Sequence, residues 1–334
     1  MKNYKTSIFT GMRPTSGITI GNLIGAVKPI LDILDDDSFD RPMLFVADMH
    51  SLTTSEPSET QPYVLSVLKD YIASGLDPEK VDLFIQSQIA DEVSKMSMYL
   101  SRLVTISELL RIPTLKEKVR SGQSEMTATG LLAFYPVLMA ADILLQGSEY
   151  VPVGKDQYPH LEMTCEMVRK FNKRYGNVFL EPKPLIQGNP INIVSLTGNS
   201  KKMSKTEPSG AIILSDDIDV SLKKIKKAKT AFAGEMNDDL ESLKNIADYI
   251  AIKDEKKEFD RLIEEHMDGK QVMGDFKKLL MGSMERFLKD FQAKKGDITD
   301  EYVLELTEKG VEMARSNARE VLEEMEKAMG MEYV

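Results

Sequence analysis

Two stretches of this chain carry residues whose types and spacing suit phosphate chemistry. In KKMSKTEPSG, Lys201 to Gly210, lysines and hydroxyls crowd together and the chain then breaks at Pro208 and Gly210. Lys202 and Lys205 are ammonium groups on flexible stems, which suits a leaving pyrophosphate that moves during reaction. Standing alone, the same residues read more readily as a solvated surface loop. In FTGMRPTSGITIGNLIGAV, Phe9 to Val27, a strand end runs through a Gly-rich turn into a helix. Backbone N–H groups at such a helix start, with Gly21 admitting close approach, form a phosphate site. A plain turn capped by Thr19 is the alternative.

Those stretches need elements to position them. SIFT (7–10), MLFVAD (43–48) and VDLFIQ (81–86) are short, apolar and rich in Ile, Val and Phe, and helix-compatible segments separate them. The alternation predicts a doubly wound α/β fold with a parallel sheet. EYVPVGKDQ (149–157) supplies a fourth strand and AIILS (211–215) a weaker fifth. Ligands in such sheets gather at the carboxyl ends of strands, where Gly11, Asp48, Gln86 and Gly154 fall. The uncharged run from Met126 to Ala141 contains Pro136 and is shorter than the roughly 20 apolar residues of a membrane span, so it reads as a buried helix. Beyond about Asp219 the chain is rich in Lys, Glu, Leu and Met, has no Pro and keeps helical periodicity. Ala314, Ala318, Val321, Met325 and Met329 mark one face of an amphipathic helix. A boundary is therefore expected between an α/β part, residues 1–218, and a helical part, residues 219–334.

Bulk composition excludes several classes. The chain has 334 residues, 42% of them hydrophobic and 29% charged, as in ordinary globular proteins. Its single cysteine, Cys165, can form no internal disulfide, and Lys2 and Lys5 precede no apolar stretch of signal-peptide length, so the cytoplasm is expected. One cysteine and three histidines (His50, His160, His266) make a structural zinc site improbable. A net charge of -10 argues against a general nucleic-acid coat while leaving room for local basic patches.

Taken together, the two stretches resemble the signatures of the class I aminoacyl-tRNA synthetases. TIGN (Thr19 to Asn22) is similar to their HIGH motif and KMSKT (Lys202 to Thr206) to their KMSKS motif. YPVLMAADIL (135–144), VPVGKDQYPHLEMT (151–164) and the ending LEEMEKAMGM (322–331) resemble the tryptophanyl branch of that family. The resemblance implies a Rossmann-like catalytic domain followed by a helical anticodon-binding domain. A helical insertion at about 90–145 would build a homodimer. It also implies a reaction in which tryptophan attacks ATP to give tryptophanyl-adenylate and pyrophosphate, followed by transfer to tRNA(Trp). Magnesium would be carried in by the triphosphate, with no metal ligands from the protein.

The implied roles make chemical sense residue by residue. An indole N–H only donates, so a tryptophan pocket needs an acceptor inside apolar walls. The family places Asp142 as that acceptor, with Phe9, Met139, Val151 and Val153 as walls. Gln157, Tyr135 and His50 fall where the family holds the amino acid's ammonium, carboxylate and ring surroundings, although His50 reads equally as a packed core histidine. The resemblance assigns Arg13, Thr19, Gly21 and Asn22 to adenine and phosphates, and the Gly154, Lys155, Asp156 turn to the ribose. Ile193 would meet adenine through its backbone. Lys202, Met203, Ser204, Lys205 and Thr206 would lie over the triphosphate. Lys118, with Lys116 as the fallback, reaches the phosphates from a second loop, and Lys202, Lys205 and Lys118 form the implied catalytic set.

This chain departs from the family pattern at Arg13, where many members carry Gln, at Thr206, which replaces Ser, and at a shortened segment 229–243. The run SLKKIKKAK (221–229) reads as a solvated helix face or as a contact to tRNA phosphates. A tyrosyl-tRNA synthetase is the nearest enzyme alternative. A synthetase-like regulator that binds tryptophan or nucleotide without charging tRNA is the alternative from another class.

Overall fold

A computed structural model describes residues 3–113, 115–116, 129–154, 157–185 and 191–332. Strand β1, Thr6–Met12, is buried at five of its seven positions and forms the centre of a five-stranded sheet. It is flanked by β2 (Met43–Val46) and β4 (Ser148–Pro152), with β3 (Asp82–Ile85) and β5 (Lys183–Leu185) at the edges. Every pairing is parallel. β2 and β3 are buried at every residue, which explains the apolar runs Met43–Val46 and Leu83–Ile85: a parallel sheet is covered on both faces. Asp82, which opens β3, is paired with Arg41.

The strand order β3-β2-β1-β4-β5 reverses direction at β1. There β1 pairs with β2 as far as Met12↔Val46 but with β4 only as far as Ile8↔Tyr150. The crevice beyond the carboxyl ends of β1 and β4 is the switch point at which such sheets bind ligands.

Two sheet assignments differ from the sequence reading. Ala211 to Ser215 does not join the sheet. It runs antiparallel beside the chain before the first helix, through a Thr19↔Ile213 bridge, with Ile20 N–H donating to Ile212 O at 2.9 Å and Leu214 N–H to Ile18 O at 3.0 Å. The fifth strand is instead Lys183–Leu185, three residues with Pro184 in the middle. A proline is tolerated on an edge strand, where one side of the backbone has no partner, but it hides the strand from a pattern search.

Helix α1 (Lys28–Leu34) follows β1 through a short turn Ile20–Asn22 and a π-helical turn Leu23–Val27. The helices α2 (Val64–Ala73), α3 (Ala90–Ser101), α4 (Gly130–Leu145) and α5 (Tyr158–Tyr175) complete the α/β part. α4 is the expected buried helix: Val137, Ala140, Ala141 and Leu145 are wholly buried, and Thr129 caps it by accepting the Leu132 N–H. Apolar residues run round most of α4 because protein covers it on most sides, with Leu131 and Phe134 left exposed near its start.

The chain then forms α6 (Ile218–Lys227), α7 (Asp238–Ile250), α8 (Lys253–Met267), α9 (Met273–Asp297) and α10 (Asp300–Met329). The expected stripe on α10 is present: Ala314, Ala318, Val321 and Met325 are buried and Met329 packs partly against the same cluster. α10 crosses the sheet at β3, and a Cβ at Gly310 would overlap the Leu83 backbone, so only glycine allows that approach. Lower on α10, Asn317 donates to Gln146 Oε1 at 3.2 Å inside the protein. One apolar cluster runs from Ile8 and Leu44 through Ile225 to Leu288 and Leu306, so the helical region shares a core with the sheet. No helix among the described residues is long and apolar enough to cross a membrane.

Candidate active site

A cavity of about 340 Å³ occupies the switch-point crevice. Its floor comes from the sheet. Phe9 stacks on Phe45 with ring centroids 4.8 Å apart and planes 7° from parallel, and Phe84 continues the aromatic layer 5.6 Å from Phe45. Register explains this: Gly11 lies across from Phe45, and a Cβ at Gly11 would come within 2.5 Å of the Phe45 ring. The missing side chain lets Phe45 lean over β1 toward Phe9.

All eight residues assigned to the amino acid line this one cavity: Phe9, His50, Tyr135, Met139, Asp142, Val151, Val153 and Gln157. Arg13 and Gly154, assigned to ATP, line it as well. β1 supplies Phe9, the end of β4 supplies Val151, and one face of α4 supplies Tyr135, Met139 and Asp142 at helical spacing.

Asp142 is 4% exposed, and its carboxylate is bound from two sides. His50 Nε2 lies 2.9 Å from Oδ2. Gln86 Nε2 donates to both carboxylate oxygens at 2.8 Å each. Burial pushes the Asp142 carboxyl above the usual carboxylate range, and the bonds from His50 and Gln86 act against it. His50 is therefore no inert core residue: its ring holds Asp142, while its backbone carbonyl accepts from Arg13 Nη2 at 3.3 Å. Arg13 also reaches Thr53 Oγ1, and burial lowers its pKa. The Tyr135 hydroxyl lies 3.0 Å from Nε2 of buried His160.

The second stretch comes back to the first in space. Val194 and Lys202 form an antiparallel bridge, and Met203 N–H donates to Ile193 O at 2.8 Å. This pins the KMSKT segment beside the TIGN turn. A Cβ on Gly21 would stand 3.2 Å from Met203 Cβ and 3.3 Å from Ile193 Cβ, so the bare glycine face admits these two side chains. Thr19 is fully buried and caps the turn, accepting from Asn22 N–H at 3.0 Å and donating to Asn22 Oδ1 at 2.8 Å. Lys202 is exposed, whereas Lys205 is half-buried and donates to Thr15 Oγ1 at 2.9 Å. Burial lowers the Lys205 pKa, opposed by the charge of Asp70. The Ser204 and Thr206 hydroxyls lie 2.9 Å apart, so threonine keeps the hydroxyl at the motif's end.

Lys118, Lys155 and Asp156 lie outside the described residues, and Lys116 is exposed. The sequence reading gave no role in the site to Thr15 or Phe45, and placed Gln86 only at a strand's carboxyl end. Gln86 had a signal, its place at the end of a strand, but nothing in one dimension ties it to Asp142.

Comparison with known proteins agrees with this geometry. Residues 1–289 match the family model described as tRNA synthetases class I (W and Y). The tryptophan–tRNA ligase of Caldanaerobacter subterraneus subsp. tengcongensis is 36% identical, with 97% of this chain and 98% of that one aligned. The tryptophan–tRNA ligase of Bacillus subtilis is 34% identical, with 98% of each chain aligned. Among solved structures, tryptophanyl-tRNA synthetase from Campylobacter jejuni, complexed with ADP and tryptophan, superposes with a TM-score of 0.83 at 27% identity, covering 97% of this chain and 99% of that one. The chain belongs to the class I aminoacyl-tRNA synthetases of the tryptophan and tyrosine (W and Y) type.

Proposed function

We propose that the protein is a tryptophan–tRNA ligase, which joins tryptophan to ATP as tryptophanyl-adenylate and then passes it to the terminal ribose of tRNA(Trp). The observation that carries this reading is a buried carboxylate, Asp142, in an apolar cavity beside Arg13. An acceptor in apolar walls selects a ring N–H, because an analogue lacking it leaves the free acceptor position of the carboxylate unfilled. Phe9, Met139, Val151 and Val153 enclose the ring, and Tyr135, Gln157 and His50 surround the rest of the amino acid.

The tryptophan carboxylate attacks the α-phosphate in line, a bond forms to phosphorus and pyrophosphate leaves. No protein nucleophile is needed, so the protein contributes positioning and charge. Arg13, Thr19, Gly21, Asn22, Gly154, Lys155, Asp156 and Ile193 hold the nucleotide. Lys202 and Lys205, with Lys118 from a second loop, stabilise charge on the leaving group. Magnesium, carried by the triphosphate, adds to that neutralisation when bound.

Residues 1–218 form the catalytic part and 219–334 the anticodon-binding part of a cytoplasmic enzyme. The insertion at about 90–145 makes a homodimer: α3 and α4 frame an apolar groove in which Met98 is 70% exposed, with Leu52, Leu131 and Phe134 beside it. Light scattering that finds only monomer at micromolar concentration would remove the dimer.

Amino-acid-dependent exchange of labelled pyrophosphate into ATP tests the function. Tryptophan alone should drive exchange, and Asp142→Ala should cut its kcat/KM by about a hundredfold or more. Exchange driven by tyrosine would move the protein to the other branch. No exchange with either would leave a regulatory binder.

A further inference from the structure

Asp142 accepts a ring N–H most strongly when its carboxylate points into the cavity and carries no proton. Burial opposes the second condition, because a charged carboxylate loses its water. Something must hold the group in place, and the residue that does so belongs neither to the cavity wall nor to either motif.

Gln86 follows β3 and is wholly buried. Its Nε2 lies 2.8 Å from each Asp142 oxygen, and its Oε1 accepts the His50 backbone N–H at 3.3 Å. Both ends of the carboxamide are thus committed. Turning the amide over would set its oxygen against the carboxylate and its nitrogen against an N–H, so the network admits one orientation. His50 donates from its ring to Oδ2, since an ionised carboxylate only accepts. These bonds use part of the roughly four lone-pair positions of the carboxylate and leave capacity for one further donor. Being neutral, Gln86 supplies hydrogen bonds without cancelling the negative charge that attracts the N–H.

We propose that Gln86 is the positioning residue of amino-acid specificity: by donating its amide N–H to both oxygens it aims Asp142 into the cavity as a pure acceptor. The inference rests on the reading of Asp142 as the indole acceptor. Other charged or titratable groups also face Asp142. His50 bonds it directly, Asp48 repels its charge, and Arg13 and Tyr135 share the cavity lining. Asp48 is itself engaged, accepting from the Met49 and Ser87 N–H groups at 3.0 Å each. Without Gln86, His50 alone opposes protonation. A protonated Asp142 would lose the charge that strengthens the bond and turn one oxygen into a donor.

The experiment compares tryptophan with its benzothienyl isostere, in which sulfur replaces the ring N–H, by pyrophosphate exchange from mildly acidic to mildly alkaline pH. In the full-length wild-type protein, tryptophan should be preferred by about a hundredfold or more in kcat/KM. Gln86→Met keeps the length and removes the donor. It should cut that preference about tenfold, the value of one lost charge-assisted hydrogen bond. It should also shift the acidic limb of the tryptophan profile to higher pH, with the ATP KM and the isostere's kcat unchanged. Gln86→Glu is a second, shape-conserving variant. Its carboxyl would share a proton with Asp142, so its preference for tryptophan should recover as pH falls. Equal losses for both substrates with an unmoved acidic limb would make Gln86 merely structural and overturn the proposal, as would a Gln86→Glu profile matching wild type. If Asp142→Ala itself keeps the preference, the reading of Asp142 fails and takes the proposal with it. If Asp142→Ala loses the preference and Gln86→Met does not, only the role of Gln86 fails.

Discussion

Lys205 Nζ donates to Thr15 Oγ1 at 2.9 Å, across 190 residues of sequence. The bond joins the KMSKT segment to the turn after β1 and holds a half-buried ammonium over the approach to the helix start. Lys205→Ala should slow adenylate formation by about 10²–10³, the usual cost of losing one preorganised charge contact to a transition state. Tryptophan binding, followed by equilibrium dialysis, should not change. Thr15→Val removes one neutral partner and should raise the ATP KM only about fivefold, in keeping with roughly 1 kcal/mol per hydrogen bond. Equal effects of the two variants in the exchange assay would show that the bond, and not the charge, matters.

Gly21 is the packing link between the two motifs. Gly21→Ala would press a methyl against Met203 and Ile193, each within about 3.3 Å of its Cβ. Overpacking of this kind costs about 1–3 kcal/mol. Its effect should fall on the nucleotide side, so the ATP KM should rise while the tryptophan Kd stays within about twofold, a prediction tied to the separation of the two sites and read by fluorescence or dialysis.

Asp142 should cost stability where it serves function. Its folded pKa is raised by burial, so the folded state holds the proton more tightly than the unfolded chain. Its favourable contribution is therefore complete below the unfolded pKa, near the ordinary value of about 4, and is lost as pH rises through the folded pKa. Asp142→Asn removes that loss. Asparagine can still accept from Gln86, and its amide can donate to the His50 ring in the tautomer whose Nε2 accepts. The variant should melt a few degrees higher than wild type at neutral pH, for about 1–3 kcal/mol, with the gap closing in acid. Calorimetry at two pH values checks the sign, and a variant less stable than wild type at both would contradict it.

Gly310 sets how closely α10 lies on β3. A methyl there would meet the Leu83 backbone, which cannot move aside as a flexible side chain can. Gly310→Ala should destabilise the protein by more than about 3 kcal/mol, at the upper end of single-residue effects. Urea unfolding should show a midpoint shift with little change in slope. Wild-type stability would mean that α10 can slide on the sheet.

Local pattern reached much of this molecule. Apolar runs at 43–46 and 83–85 marked strands buried on both faces, because a parallel sheet has no wet side. The stripe from Ala314 to Met325 marked the buried face of α10 because helical spacing stacks those positions. The resemblance of TIGN and KMSKT to a known pair of motifs pointed to the family before any coordinates, and the full-length relatives agree.

Tertiary structure decided the rest. Lys183–Leu185 is a strand only because β4 offers it a partner, and Ala211 to Ser215 is not one because residues 18–20 claim its backbone bonds first. Neither choice is written in propensity. His50 read evenly as core or site until its ring was placed 2.9 Å from Asp142. Gln86 and Thr15 matter through partners 56 and 190 residues away, and hydrogen bonds at that range depend on where the sheet and helices set the backbone. Periodicity and motif are local properties that the chain carries by itself, whereas the state of a buried carboxylate depends on everything that excludes water from it.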